Sequence, residues 1–165
     1  MLDWVVTHQC DLGLAAAPIE HAAARSEMMP AVRYVAVMPD GHRLARRRVL
    51  RPRDFAGQPF VTLGPTTPSR HRIDDVFAQH GVSRVLRVET PLSEIACALV
   101  AAGVGLSVCD PFTAAEYSTR GVVVRPFEPA ISFQIAALHP SHRALSPVAR
   151  EFISGFARHI QMFRS

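Results

Sequence analysis

Apolar and polar positions alternate along this chain with two periods, one of strands and one of helices. The stretch Val88–Ala114 shows both: VETPLSEIACALVAAGVGLSVCDPFTA reads as strand end, helix, tight turn and strand. Leu86–Thr90 is short and apolar-rich, as a strand end is. Leu92, Ile95, Ala96 and Leu99 recur at i, i+3, i+4 and i+7, one face of a helix, and Pro91 suits its first turn. Gly103 stops that helix and Gly105 allows a close reversal. Leu106, Ser107, Val108 and Cys109 make a buried strand that Asp110-Pro111 ends. Strand, crossover helix and strand form a βαβ unit, which predicts an α/β fold with a parallel sheet and ligand positions at the carboxyl ends of its strands. Thr90, Pro91 and Ser93 then stand on one rim, and Asp110, Pro111 and Phe112 on the next.

The remaining segments follow the same logic. Leu2–His8 reads as the end of a helix and Leu12–Ala17 as a strand, while polar, alanine-rich Pro18–Met29 reads as a loop or edge segment. Val32–Met38 is a strand by its β-branched and aromatic content, and Asp40-Gly41 a turn. Pro52 opens a short helix over Arg53–Ala56, ended by Gly57. Phe60–Leu63 is a strand, and the loop from Gly64 to Ser69 opens a helix with Ile73, Val76, Phe77 and His80 on one face and Gly81 as its cap. A short helix after Ala114 reaches Arg120, and Val122–Arg125 is a strand. Pro126 and Pro129 stiffen a connector, and Ile131–Leu138 is a strand. Ser146-Pro147 caps a last helix with Ala149, Phe152, Ile153, Phe156, Ile160 and Phe163 on its buried side.

Composition narrows the classes. A chain of 165 residues is one domain or two small lobes, and 48% apolar with 19% charged residues is globular. All 18 basic residues are arginine, but the net charge of +4 does not by itself call for nucleic acid. Cys10, Cys97 and Cys109 have neither disulfide nor zinc spacing and read as small buried hydrophobes. The start lacks a basic region and is interrupted by Asp3, His8 and Asp11, so no secretory signal is expected. No apolar run is long enough to span a membrane, and a reduced, cytoplasmic setting is expected.

Candidate chemistry is sparse. Thr66, Thr67 and Ser69 put hydroxyls and free N–H groups at a helix start, which suits an anion; the plain alternative is an N-cap. Asp110 could meet a cationic ligand group or simply make an Asp-Pro turn, and Ser93 could donate or cap. The run Arg46-Arg47-Arg48 has no interleaved aromatics and reads as a solvated loop. There is no H-E-x-x-H, no G-x-S-x-G, no G-x-G-x-x-G and no Walker loop, so no metal, no cofactor and no enzyme activity are expected.

Three segments, in order, resemble the effector-binding domain of LysR-type transcriptional regulators: CDLGLAAAP (Cys10–Pro18), YVAVMPDGHRLA (Tyr34–Ala45) and LVAAGVGLSVCDPFTA (Leu99–Ala114). Val88–Tyr117 and the Arg125–Phe127 tripeptide look most like the branch sensing amino acids and opines. The resemblance implies a two-lobed, periplasmic-binding-protein-like type 2 fold that binds a small effector between its lobes and works as a dimer or tetramer. Crossings are expected near 56–60 and 126–129, giving lobe one as 1–57 plus 128–165 and lobe two as 58–127. It also implies an incomplete first lobe, because a strand, a helix and a second strand, preceded by a winged helix-turn-helix and linker helix, come before this point in the family. The implied ligand-binding positions are Ala16, Thr66, Thr67, Ser69, Ser93, Asp110 and Pro111. A solute-binding protein of the same fold and a degenerate fragment are the other readings. DNA contact is expected only through the missing winged helix. A gel shift of this chain at physiological salt should therefore show no sequence-specific retardation; specific retardation at sub-micromolar protein would contradict that.

Overall fold

The structure is a computed structural model and describes residues 1–163. In chain order its elements are α1 (Leu2–Val6), β1 (Gly13–Ala16), β2 (Ala24–Met28), β3 (Val32–Arg33), β4 (Val35–Pro39), β5 (Pro59–Leu63), α2 (Pro68–Gln79), β6 (Val85–Thr90), α3 (Ser93–Ala101), β7 (Ser107–Cys109), α4 (Pro111–Tyr117), β8 (Val122–Pro126), β9 (Ser132–Phe133), β10 (Ile135–Pro140) and α5 (Pro147–Gln161). Two 3-10 turns, Arg43–Arg46 and Pro52–Phe55, lie between β4 and β5. The chain divides into two compact units, Met1–Val32 with Ser132–Ser165, and Arg33–Ile131. The boundaries expected from sequence are 57–58 and 127–128. Residues 33–57 pack within the second unit because β4 pairs with both β7 and β8.

In the first unit β10 is the central strand of an antiparallel sheet, paired with β1 from Gly13↔Leu138 to Ala16↔Ile135 and with β2 from Ala136↔Met28 to Pro140↔Ala24. The alanine-rich segment after Pro18 thus supplies an edge strand, β2. Ser146 Oγ caps α5, accepting from Ala149 N at 3.2 Å, with Pro147 in the first turn. Ala149, Ile153 and Ile160 are buried, but Phe152 is 48% exposed, and its ring stacks on Phe156 at 5.8 Å. The expectation that Phe152 is buried fails because it lies about 100° around the helix from Ile153, and one stripe cannot centre both.

The second unit holds the expected βαβ element. β6 pairs in parallel with β5, and a parallel bridge joins Phe60 to Leu106 on the other side of β5. The sheet is mixed rather than parallel, since β4 runs antiparallel between β7 and β8. A βαβ pattern fixes only the strands it joins; β4 and β8 lie outside it. The bridge brings Val61 N to Leu106 O and Leu106 N to Pro59 O, each at 2.8 Å. Gly105 permits this, because a Cβ there would meet Pro59 O at 2.6 Å and Pro59 C at 2.8 Å.

α3 buries Ala96, Cys97 and Val100 against this sheet, while Leu92 and Ile95 are 56% and 43% exposed. The predicted face is therefore rotated. Leu92 is the N-cap, with extended backbone, and Pro91 lies outside the helix. α4 starts at Pro111, earlier than expected, because Asp110 caps it. Phe55, Phe60, Phe77 and Phe127 form an aromatic core, with Phe55 edge-on to Phe77 at 5.4 Å and the Arg84 guanidinium 4.1 Å above the Phe77 ring. The arginine run is partly pinned: Arg47 pairs at 3.2 Å with Asp54, whose side chain is 6% exposed.

Replacing Gly105 by alanine should destabilise the chain by about 1–3 kcal/mol, since the contacted atoms are backbone and cannot rotate away. Urea unfolding of Gly105→Ala against the parent checks this; an unchanged midpoint would contradict it.

Candidate functional site

The strand directions decide which residues meet. β5 and the start of β7 run in parallel, so their carboxyl ends, Leu63 and Cys109, lie on the same edge. β4 runs the other way, and the pairing Val35↔Cys109 puts its beginning there too. Tyr34, which precedes β4, Ser69, in the first turn of α2 after β5, and Asp110, which follows β7, are therefore neighbours.

Tyr34 is 2% exposed, and its phenol donates to Ser69 Oγ. Burial pushes its ionisation up to about 12; the Ser69 contact opposes this, the charge of Asp110 adds to it, and Arg72 opposes it. Tyr34 is therefore a neutral donor throughout the physiological range. Because Ser69 Oγ accepts from Tyr34, its own proton can be given to a third group. The Ser69 N–H belongs to the first helical turn and has no intrahelical acceptor. Ser69 and Asp110 are each 9% exposed.

The other predicted residues divide. Thr67 is the N-cap of α2: Oγ1 accepts from Arg70 N at 3.2 Å and donates to Gly64 O at 2.9 Å, so its hydroxyl is spent on the turn. Thr66 is exposed on that loop. Asp110 caps α4, accepting from Thr113 N at 2.9 Å and Thr113 Oγ1 at 3.2 Å, and a carboxylate keeps lone pairs for further donors. Pro111 is the buried first residue of α4, and Ser93 the half-buried first residue of α3. Ala16 ends β1 in the other unit. Arg70, beside Ser69, is engaged by Glu89 at 2.9 Å, by Leu63 O at 3.0 Å and by Asp74. Burial disfavours its charge, but those two carboxylates outweigh burial and raise its ionisation. Sequence alone does not single out Tyr34, which reads as a plain strand residue; its partner is 35 positions away. Cys97 and Cys109 are fully buried with sulfurs 3.5 Å apart, and the Cys97 contact and burial push the Cys109 thiol well up. Among the described residues no cluster of three or more His, Cys, Asp or Glu could hold a metal, and no helix is long and apolar enough to cross a membrane.

Residues 1–161 match the LysR substrate binding domain. The chain belongs to that family. It is 36% identical over 159 residues to the transcriptional activator protein LysR of Escherichia coli K12, covering 96% of this chain and 50% of that protein. It is 30% identical over 152 residues to the regulatory protein NocR of Agrobacterium tumefaciens T37, covering 92% of this chain and 51% of that one. The chain thus spans about half the length of the curated relatives it matches. HinK, a LysR family transcriptional regulator from Pseudomonas aeruginosa, superposes with a TM-score of 0.79 at 23% identity, over 96% of this chain and 55% of that one. The fold is the two-lobed, periplasmic-binding-protein-like type 2 fold of these domains, and the chain is a ligand-sensing regulatory domain of the LysR type.

The Tyr34 shift sets a pH dependence. A folded pKa above the unfolded value, near 10, gives stability that is full below about pH 10 and is lost as pH rises through about 12. Two pH units correspond to about 2–3 kcal/mol. Of the two tyrosines, one should ionise near pH 12 by phenolate absorbance, and Tyr34→Phe should remove that step. A normal titration of both would contradict the geometry.

Proposed function

We propose that this domain senses an amino acid or amino-acid conjugate for a cytoplasmic LysR-type regulator. In this reading Ser69, through its hydroxyl and its own backbone N–H, takes the ligand carboxylate, and Asp110 takes its ammonium or guanidinium. The carrying observation is the bond from Tyr34 to Ser69, which holds the serine as an acceptor on one side and leaves its proton for the ligand. Arg70 does not compete for that carboxylate, because Glu89 and Asp74 already occupy it. The domain performs no catalysis. The ligand acts by binding one conformational state of the regulator better than another. DNA contact and assembly into a dimer or tetramer belong to the full-length regulator.

The test is calorimetric titration with a panel of amino acids, aromatic acids and purely acidic ligands, repeated on Ser69→Ala and Asp110→Asn. Asparagine is a good N-cap, so Asp110→Asn keeps the start of α4 while removing the charge. Each variant should weaken binding by roughly ten- to a hundredfold, the worth of one charge-assisted hydrogen bond. Unchanged affinity in both variants, or binding only of acids without an amine, would overturn the proposal.

A further inference from the structure

A cavity of about 590 Å³ opens at the end of α2 away from Ser69. Twelve helical residues separate the two ends, about 18 Å at 1.5 Å per residue, so it is distinct from the Ser69 region. Its volume lies within the range of small-molecule sites, roughly 300–1,000 Å³.

The walls are built from hydrogen-bonded backbone. Asp54 accepts from Arg51 N at 2.8 Å and, pairing with Arg47 as well, fixes the turn that carries Pro52 and Arg53. Glu128 N donates to Leu50 O at 2.9 Å, and Gly57 N to Ser83 O at 3.2 Å, tying the other two walls to the same turn. Leu50 and Phe55, behind that turn, are fully buried. The cavity is thus preformed.

Its lining sets Arg51, Arg53, His80 and Glu128 beside three apolar residues. Pro52, Val82 and Pro129 give it an apolar lining. Arg51 is spent on Glu128, at 2.6 Å. Arg53 lines the same space, is exposed, and makes no ion pair among the described residues. An exposed arginine is ordinarily just solvated. This one is held on a rigid turn at the rim of a ligand-sized apolar hollow. Its planar fork suits a carboxylate. His80, whose Nδ1 donates to Val76 O at 2.8 Å, closes one side of the same space. A bare phosphate would leave the apolar lining unused, and a neutral apolar molecule would leave Arg53 unpaired.

The geometry points to a second ligand site, for a small monocarboxylic acid with an apolar body, its carboxylate on Arg53 and its body against Pro52, Val82 and Pro129. Neither the amino-acid reading of the first site nor its residues enter this assignment.

Benzoate is the probe, with benzyl alcohol as its uncharged counterpart, followed by amide NMR of the whole chain. Benzoate should shift the amides of Gly57, Val82 and Ser83 saturably. Arg53→Gln, at an exposed position, should keep the spectrum otherwise unchanged and weaken that titration at least tenfold, while Ser69→Ala should leave it as it was. The assignment falls if those amides do not respond, if benzyl alcohol titrates them as well as benzoate does, or if Arg53→Gln binds like the parent.

Discussion

The second unit depends on one close backbone approach. At Gly105 the chain turns onto β5 so tightly that no side chain fits, and Leu106 then exchanges two hydrogen bonds with β5. That bridge joins the β5–β6 pair to the β7–β4–β8 sheet. It also fixes β5 and β7 as parallel neighbours. Three things at the carboxyl edge go with it: the start of α2 after one strand, the start of α4 after the other, and Tyr34, just ahead of the antiparallel strand between β7 and β8. Ser69 and Asp110, forty-one positions apart in sequence by their numbers, come to the same sheet edge through strand direction.

The elements whose causes are local were readable from sequence. The cap at Ser146, the helix stop at Gly103 and the strand end before Asp110-Pro111 are set by one or two residues, and each sits where the pattern puts it. Helix faces were less legible. In α3 the small residues Ala96 and Cys97 face the sheet and larger Ile95 stays outside, because the close strands leave room for little else. In α5 two adjacent apolar residues compete for one stripe, and periodicity alone does not choose between Phe152 and Ile153.

The candidate site was legible in part. Ser69 stands out as a polar residue at a helix start and Asp110 as one at the end of an apolar strand; that Asp110 also caps a helix is not visible in the sequence pattern. Tyr34 does not, since an aromatic residue at a strand start is ordinary and its meaning lies in a partner brought by tertiary pairing. The direction of β4, which puts Tyr34 there, comes from connections outside the βαβ unit. The cavity at the far end of α2 was equally hidden, because its walls come from three separated segments, around Arg51, Val82 and Glu128.

The buried sulfur pair bears on how this corner behaves electrically. Cys109 directly precedes Asp110, and a thiolate there would double the local negative charge. The neighbouring Cys97 sulfur and the lack of water hold the proton on. Tyr34 on the other side stays protonated to about pH 12. Asp110 therefore has beside it two groups that keep their protons, the Cys109 thiol and the Tyr34 phenol. Neither of these two groups gains a charge over the pH range in which cells live.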